Sequence, residues 1–310
     1  MNDRVPMIRL ESFEKRYGKV QAVRPLDLEV ERGETLALLG PNGSGKTTII
    51  RSLVGLHRPS GGRILVDGID VVKSPDRVKE RLSYAPQRVT MPEMLTAREV
   101  ATLFGRLRRV PAQRVDEVLE LFALTDNADR RTREFSGGML QRLGLAVAFL
   151  TDVPLLVLDE PTVNLDLLGV DRLRHLLGEA RKRGTTVVFS SHIVQSAMEL
   201  ADRVAVLVEG SLVTLEQAPA FRANVTRQTI VRVVLDRADD AVIEVARGAG
   251  ADTASRNGGQ VSFTASPERR LEIIRAIEGV GAVVEEIHTE TPDWESLIRK
   301  HFSSEEKDSS

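Results

Sequence analysis

The most constraining feature of this sequence is a glycine-rich segment placed between an apolar run and a helical pattern. The run Thr35-Leu36-Ala37-Leu38-Leu39 is apolar almost throughout, which is typical of a strand covered on both faces of a sheet. The segment Gly40-Pro41-Asn42-Gly43-Ser44-Gly45-Lys46-Thr47 follows at once, and Thr47-Thr48-Ile49-Ile50 begins the helical pattern. The glycine segment must therefore turn the chain between the end of a buried strand and the start of a helix.

This segment matches the spacing G-x-x-x-x-G-K-[ST] of a phosphate-binding loop. Glycines allow the backbone N–H groups to converge on phosphate oxygens, and the helix N-terminus adds the positive end of a dipole. Lys46 can reach the β- and γ-phosphates, and the Thr47 hydroxyl can bind Mg²⁺. We therefore expect the residues from Gly40 to Thr48 to bind a nucleoside triphosphate.

The elements around this loop predict an α/β fold. Val153–Leu158, Thr186–Phe189 and Val204–Val208 are also apolar and strand-sized, and helical patterns separate them, which predicts a mainly parallel sheet. The alternating segments Ile8–Glu11 and Leu26–Val30 predict half-buried antiparallel strands. Only helical patterns remain at about residues 88–150, so we expect a helical insertion there.

A second, smaller domain is expected after Arg222. The pattern strand, helix, strand, strand, helix, strand predicts a split-βαβ, ferredoxin-like α+β unit over residues 223–302, with a hairpin turn at Gly258-Gly259. A last amphipathic helix is expected at Trp294–Phe302, with Trp294 as a packing anchor. The polar residues 303–310 are expected to be disordered, and residues 1–222 form the first domain.

Composition excludes several classes of function. With no cysteine, the chain has no disulfide, thiol chemistry or Cys-ligated metal, and His288 and His301 lack partners at ligand spacing. A formal net charge of −2 is unlike that of a globally basic nucleic-acid binder, so no nucleic-acid partner is expected. No apolar run reaches the ~18–20 residues of a membrane helix. We therefore expect a soluble, cytoplasmic protein.

Two carboxylates end another apolar strand, Leu155-Leu156-Val157-Leu158-Asp159-Glu160. Asp159 is expected at the carboxyl end of a buried strand, where a metal-directed carboxylate would lie. Glu160 would point the opposite way if extended geometry persists, and it could then orient or deprotonate a water molecule. A carboxylate beside a metal-bound γ-phosphate favours hydrolysis over transfer to a second substrate.

A third motif points to a family. In Phe135-Ser136-Gly137-Gly138-Met139-Leu140-Gln141-Arg142 the serine and two glycines begin an amphipathic helix, whose N-terminus can hold an anion. Together with the other motifs, this segment resembles the signature of the nucleotide-binding subunits of ABC transporters, which usually reads L-S-G-G-Q. Phe135 and Met139 depart from that pattern, whereas the S-G-G core is intact.

The resemblance covers roughly Ile8 to Arg222 and implies roles for further residues. Tyr17 is at the position where the family stacks an aromatic ring on adenine. Gln87 is at the position of the glutamine that reaches Mg²⁺ and the attacking water. His192 is at the position of the histidine that contacts the γ-phosphate.

One more segment, Pro161-Thr162-Val163-Asn164-Leu165-Asp166, resembles the family's intersubunit D-loop, usually S-A-L-D or G-L-D. Asn164 is a departure, and Asp166 is expected at the nucleotide. The resemblance therefore implies ATP as the substrate, with Mg²⁺ bound by Thr47, Gln87 and Asp159. The implied catalytic residues are Glu160, His192, Gln87 and Lys46.

In this family ATP lies between the phosphate loop of one domain and the signature serine of another. One copy of each motif in this chain implies a homodimer with two composite sites. The extension and the S-G-G-M signature resemble ATPases of the ABC-2 exporter type, which implies a separately encoded transmembrane subunit and a place on the cytoplasmic face of the membrane. The segments Leu82–Pro92 and Arg133–Met139 also resemble ATPases that serve maturation of the nitrous-oxide reductase copper site.

Two alternative functions stay open at this point. The chain could be the ATPase of an importer whose C-terminal domain senses a ligand. It could also be a non-transport, mechanochemical ABC ATPase, although such proteins usually carry two ATPase domains or a long coiled-coil insert.

Overall fold

A computed structural model describes residues 5–290 of the 310-residue chain. Within these residues the chain folds as two compact units, which divide between Ala218 and Pro219. The boundary expected at Arg222 lies inside a helix, Ala218–Gln228, that the sequence pattern did not predict. The predicted helix Trp294–Phe302, with Trp294, His301 and residues 303–310, lies outside the described residues.

The first unit alternates strands and helices along most of its length. Its strands are β1 Ile8–Tyr17, β2 Val20–Val30, β3 Thr35–Leu39, β4 Gly61–Val66, β5 Ile69–Asp70, β6 Leu82–Ala85, β7 Leu155–Leu158, β8 Thr186–Ser191, β9 Arg203–Val208 and β10 Ser211–Gln217. Its helices are α1 Lys46–Leu53, α2 Pro75–Lys79, α3 Ala97–Leu107, α4 Ala112–Leu121, α5 Gly137–Ala148, α6 Leu167–Lys182, α7 Val194–Leu200 and the start of α8 Ala218–Gln228.

A six-stranded sheet carries the predicted buried strands, in the order β10-β9-β3-β8-β7-β6. Its pairs are parallel except for β10 with β9, and every residue of β3, β7 and β8 is buried. The predicted parallel sheet is therefore confirmed. Since β3 and β7 both flank β8, the loops after these three strands meet at one edge of the sheet.

The alternating N-terminal segments form part of a separate antiparallel sheet, β2-β1-β4-β5. Ile8 pairs with Val30 and Leu10 with Leu28, and all four side chains are buried because they face the core. The strands β4 and β5 were not expected from the sequence. The hairpin of β1 and β2 also brings Ala22 next to the phosphate loop, as described below.

The predicted helical insertion is present as three helices, α3, α4 and α5, between β6 and β7. Thr96 and Glu99 form a capping box that fixes the start of α3. Ser136 caps α5 by accepting a hydrogen bond from the backbone N–H of Met139 at 3.3 Å. The insertion thus places the predicted signature at the exposed N-terminus of α5.

The second unit has the predicted βαββαβ order. Its elements are β11 Ile230–Leu235, α9 Asp240–Gly248, β12 Thr253–Asn257, β13 Gln260–Thr264, α10 Pro267–Gly279 and β14 Val284–Glu290, and the antiparallel sheet order is β12-β13-β11-β14. Gly258, with φ of +59°, makes the two-residue turn between β12 and β13. The ferredoxin-like prediction is confirmed.

No helix within residues 5–290 is both long enough and apolar enough to span a bilayer. In the same part of the chain, no group of three or more His, Cys, Asp or Glu side chains is arranged to hold a metal ion.

We predict that Phe263→Ala unfolds the second unit without affecting the first, because each unit has its own hydrophobic core. Phe263 is 1% exposed, and truncating a buried Phe costs about 3–5 kcal/mol of unfolding free energy. Amide hydrogen exchange should accelerate in β11 and β13 and stay unchanged in β3 and β8. The matched variant Phe13→Ala, in the core of the first unit, should do the reverse, and equal acceleration in both units would contradict two separate cores.

Candidate functional site

The phosphate loop, residues 40–45, leaves no room for side chains at two of its glycines. A Cβ on Gly40 would lie 2.2 Å from the Leu207 carbonyl oxygen of β9. A Cβ on Gly45 would lie 2.8 Å from the Ala22 carbonyl oxygen of β2, and Gly45 has φ of +104°. The loop therefore packs closely against β9 at Gly40 and against β2 at Gly45, and at Gly45 glycine is required by conformation as well as by space.

Lys46, the first residue of α1, is only 5% exposed. Its Nζ donates hydrogen bonds to the carbonyl oxygens of Gly40 at 2.8 Å and Pro41 at 3.0 Å, and lies 3.8 Å from Glu160 Oε1. Burial lowers the pKa of Lys46, against the opposing effect of the Glu160 and Asp159 carboxylates. In a desolvated site, an ammonium binds charged phosphate oxygens more strongly than it binds neutral carbonyl oxygens. Phosphate binding would therefore stabilise the Lys46 ammonium more than its present hydrogen bonds do.

Asp159 connects helix α1, which follows the phosphate loop, to strand β8. Its Oδ1 accepts hydrogen bonds from the Thr47 hydroxyl at 3.1 Å and from the Ser190 hydroxyl at 2.6 Å. Asp159 is 1% exposed, and its Oδ2 is buried without a hydrogen-bond partner. A buried carboxylate oxygen with no donor is costly unless a cation completes it.

The backbone at Glu160 is not extended, so the extended geometry considered in the sequence analysis does not persist at this residue. Its φ is +50°, a left-handed conformation that is rare outside glycine, and its backbone N–H donates to Ser190 Oγ at 2.8 Å. Its carboxylate consequently faces Lys46 on one side and His192 on the other, where His192 Nδ1 lies 2.9 Å from Oε2. Such strain is typical of functional positions.

A cavity of about 210 Å³ opens in front of these residues. Its lining consists of Ala22, Asn42, Gly43, Ser44, Gly45, Lys46, Thr47, Thr48, Gln87 and Glu160. Pockets that enclose a drug-sized ligand are larger, about 300–1,000 Å³. The cavity is therefore smaller than a pocket that encloses a whole drug-sized ligand, and its glycine-rich lining with Lys46 and Thr47 suits phosphate groups.

The predicted signature residues do not line that cavity. Ser136 and Gly137 are exposed, and Gly138 packs against the predicted D-loop, where a Cβ would lie 2.7 Å from the Asn164 carbonyl oxygen. Asn164 has φ of +61°, a conformation that Asn tolerates better than most residues, so its departure from the usual motif has a conformational reason. Asp166 caps α6 by accepting from the Gly169 N–H at 2.8 Å.

Tyr17 lies at the end of β1, apart from the enclosed cavity, and is 43% exposed. It pairs with Val20 across the hairpin, and Ala22, two residues further along β2, lines the cavity. Along the β2 backbone, Ala22 therefore lies two strand residues, about 7 Å, from the residue that pairs with Tyr17.

The structure thus brings together Lys46, Thr47, Asp159, Glu160, Gln87 and His192, which the sequence predicted as one site. Ser190 was not predicted as a site residue, although its buried hydroxyl holds both carboxylate residues in place. Two serines directly after an apolar strand were a possible signal for it. Ala22 could not have been found, because it contributes its backbone.

Comparison with known proteins gives consistent matches. Residues 23–163 match the family model described as ABC transporter. The daunorubicin resistance ATP-binding protein DrrA3 of Streptomyces coeruleorubidus is 36% identical over 303 residues, which cover 94% of each chain. The linearmycin resistance ATP-binding protein LnrL of Bacillus subtilis is 29% identical, over 78% of this chain and 79% of LnrL. The dimeric structure of MJ0796, a bacterial ABC transporter cassette, is 25% identical with a TM-score of 0.64, over 68% of this chain and 99% of that one. The resemblance to nitrous-oxide reductase maturation ATPases stays a prediction.

We predict that Lys46→Met abolishes stabilisation by ATP, because it removes the ammonium that would hold the phosphates and keeps the length of the side chain. Since the change also leaves the buried Glu160 carboxylate without that cation, the ATP effect is taken for each variant as the difference between its stability with and without nucleotide. For the wild type, Mg²⁺-ATP at one hundred times its Kd should add about 2.7 kcal/mol to the unfolding free energy. Thermal unfolding with and without nucleotide measures this difference. Lys79→Met, at an exposed lysine of α2, is the control and should respond to ATP as the wild type does. An undiminished ATP effect in Lys46→Met would contradict the assignment.

We also predict different outcomes for Ala at two adjacent glycines. Gly138→Ala forces the start of α5 away from Asn164 and should cost about 1–3 kcal/mol of unfolding free energy. At Gly137 a Cβ would make only ordinary contact, 3.8 Å from the Asn164 side chain, so Gly137→Ala should change stability by no more than about 0.5 kcal/mol. Urea unfolding distinguishes the two variants, and equal stability would show that the contact with Asn164 is not tight.

Proposed function

The chain belongs to the ABC transporter family as an ATP-binding, ATP-hydrolysing subunit, and from that premise we propose that it powers export through closure of a homodimer. The observation that carries this proposal is the split between the two predicted phosphate-binding surfaces. The cavity at Lys46 lacks the signature residues, which lie exposed at the N-terminus of α5. A second chain is the simplest source of the missing surface.

Mg²⁺ is the cation proposed for the nucleotide site. Thr47, Gln87 and Asp159 would hold it, since oxygen ligands suit this hard cation and Asp159 Oδ2 is a buried acceptor without a donor. When bound, Mg²⁺ would neutralise charge on the β- and γ-phosphates.

Hydrolysis is proposed to use Glu160 as the general base. Its carboxylate would accept a proton from the water whose oxygen attacks the γ-phosphorus, while the bond from that phosphorus to the β–γ bridging oxygen breaks. The hydrogen bond with His192 at 2.9 Å and the ion pair with Lys46 orient the carboxylate before substrate arrives. Lys46 would then hold the phosphates, and Gln87 at the cavity wall would position the water.

The signature and D-loop of one chain are proposed to complete the site of the other. Ser136 and the N–H groups at the start of α5 offer an anion site of helix N-terminal type, and Asp166 lies on the D-loop that packs against it. ATP bound between two chains would hold the dimer closed, and loss of the γ-phosphate would release it.

The direction of transport rests on relatives whose names describe resistance to daunorubicin and to linearmycin. Export through a separately encoded transmembrane subunit, at the cytoplasmic face of a membrane, agrees with such functions. The second unit is proposed as an accessory or dimerisation module. Co-purification of a transmembrane protein with the full chain tests the transport role, whereas an active ATPase with no membrane partner would favour a non-transport function.

We predict that Glu160→Gln traps an ATP-bound dimer, because the amide keeps the shape of the side chain and cannot accept the proton. Hydrolysis should fall by at least about 10²-fold, and gel filtration with Mg²⁺-ATP should show a dimer with retained nucleotide. The double variant Lys46→Met/Glu160→Gln is the control and should stay monomeric with ATP. Hydrolysis at the normal rate by Glu160→Gln would remove Glu160 from the proposed role.

A further inference from the structure

We propose that His57 is a positioning residue that fixes the ring of Tyr17 as the platform for the adenine base. This inference rests on the proposed function as an ATPase and on the role that the family resemblance implies for Tyr17, which is to stack on the base of ATP. It assigns a role to a half-buried histidine outside the motifs and the cavity described above.

His57 contacts Tyr17 in two ways. The Tyr17 hydroxyl lies 2.5 Å from His57 Nδ1, and the two rings meet edge to face with centroids 5.6 Å apart and an interplanar angle of 78°. The Tyr17 ring is thus held by the hydrogen bond at its hydroxyl and by its contact with the imidazole ring. Lys15 Nζ lies 5.0 Å from the centroid on a face of the same ring, so the base is expected to stack on the opposite face.

The histidine itself is fixed to the helix of the phosphate loop. The N–H groups of Leu56 and His57 both donate to the Arg51 carbonyl oxygen, at 2.8 and 3.1 Å, and Gly55 turns the chain with φ of +78°. Since α1 begins at Lys46 and ends just before this turn, its two ends hold the phosphate-binding ammonium and the partner of Tyr17. His57 therefore links the base platform to the helix that binds the phosphates.

The turn after α1 is also held against β1 around this contact. Lys15 Nζ donates to the Arg58 carbonyl oxygen at 2.7 Å, and the Arg16 N–H donates to Ser60 Oγ at 3.0 Å. These bonds fix the backbone on either side of His57 and Tyr17. The hydrogen bond between the two side chains then determines which way the exposed ring faces.

The protonation state suits an acceptor at Nδ1. Burial, and next the charges of Arg51 and Lys15, lower the pKa of His57 and so favour the neutral imidazole. In the tautomer that carries its proton on Nε2, the ring accepts a hydrogen bond from the Tyr17 hydroxyl at Nδ1. The consequence is preorganisation, because the platform faces the base before ATP binds and loses less rotational freedom on binding.

The test measures the Kd of Mg²⁺-ATP for the full-length chain by calorimetry, together with the KM and kcat of hydrolysis. His57→Ala and Tyr17→Phe each remove the hydrogen bond and should each weaken ATP binding about fivefold, with kcat at saturating ATP unchanged. The double variant should be no weaker than either single variant, since both remove the same bond. His57→Asn, whose side-chain oxygen can replace Nδ1 as acceptor, should restore most of the affinity.

Leu56→Ala, at an exposed side chain in the same turn, is the matched control and should bind ATP as the wild type does. Tyr17→Ala distinguishes the role of Tyr17 as the base platform from the role of His57 in positioning it. If Tyr17→Ala weakens ATP binding and His57→Ala does not, the inference about His57 is wrong and the base platform stands. If Tyr17→Ala has no effect, the base platform of the proposed function fails as well. Additive losses in the double variant, or no rescue by Asn, would also overturn the inference.

Discussion

Three charged side chains held out of water at one edge of a parallel sheet determine the rest of this site. Lys46, Asp159 and Glu160 are each at most 5% exposed, and their charges must be compensated by one another or by nearby dipoles. The geometry meets this requirement only because β3, β7 and β8 are adjacent and end at the same edge. Ser190, at the end of β8, completes it by bonding to both carboxylate residues.

The charges of Lys46 and Asp159 are only partly compensated within the protein, and what is missing matches a polyphosphate with its cation. Lys46 donates to two backbone carbonyls, and Asp159 Oδ2 accepts from no donor. An anion with an accompanying cation would supply both missing partners. The signature at α5, by contrast, is held in place by the Ser136 cap and by the packing of Gly138 on Asn164. Its exposed Ser136 and Gly137 are the basis for proposing a second chain.

Much of this architecture could be predicted because the elements concerned are locally unambiguous. β3 is fully buried and reads as one apolar run, and β11 and β13 take the places of the first and third strands in the predicted βαββαβ order. The helix Ala218–Gln228 was not predicted, although proline, here Pro219, is tolerated in a first helical turn. The left-handed turn at Glu160 could not be predicted from the sequence either, since its partners come from two distant segments of the chain, Lys46 from one and Ser190 with His192 from the other.

The central claim is that one ATP site takes its phosphate loop and its signature serine from two chains. In a Glu160→Gln background, one chain carries Lys46→Met and the other carries Ser136→Asp, which keeps the cap of α5 but repels phosphate. Neither variant alone should retain ATP on gel filtration, whereas their mixture should retain it, because a mixed dimer has one site with an intact loop and an intact serine. Retention by Ser136→Asp alone, or no retention by the mixture, would contradict the composite site.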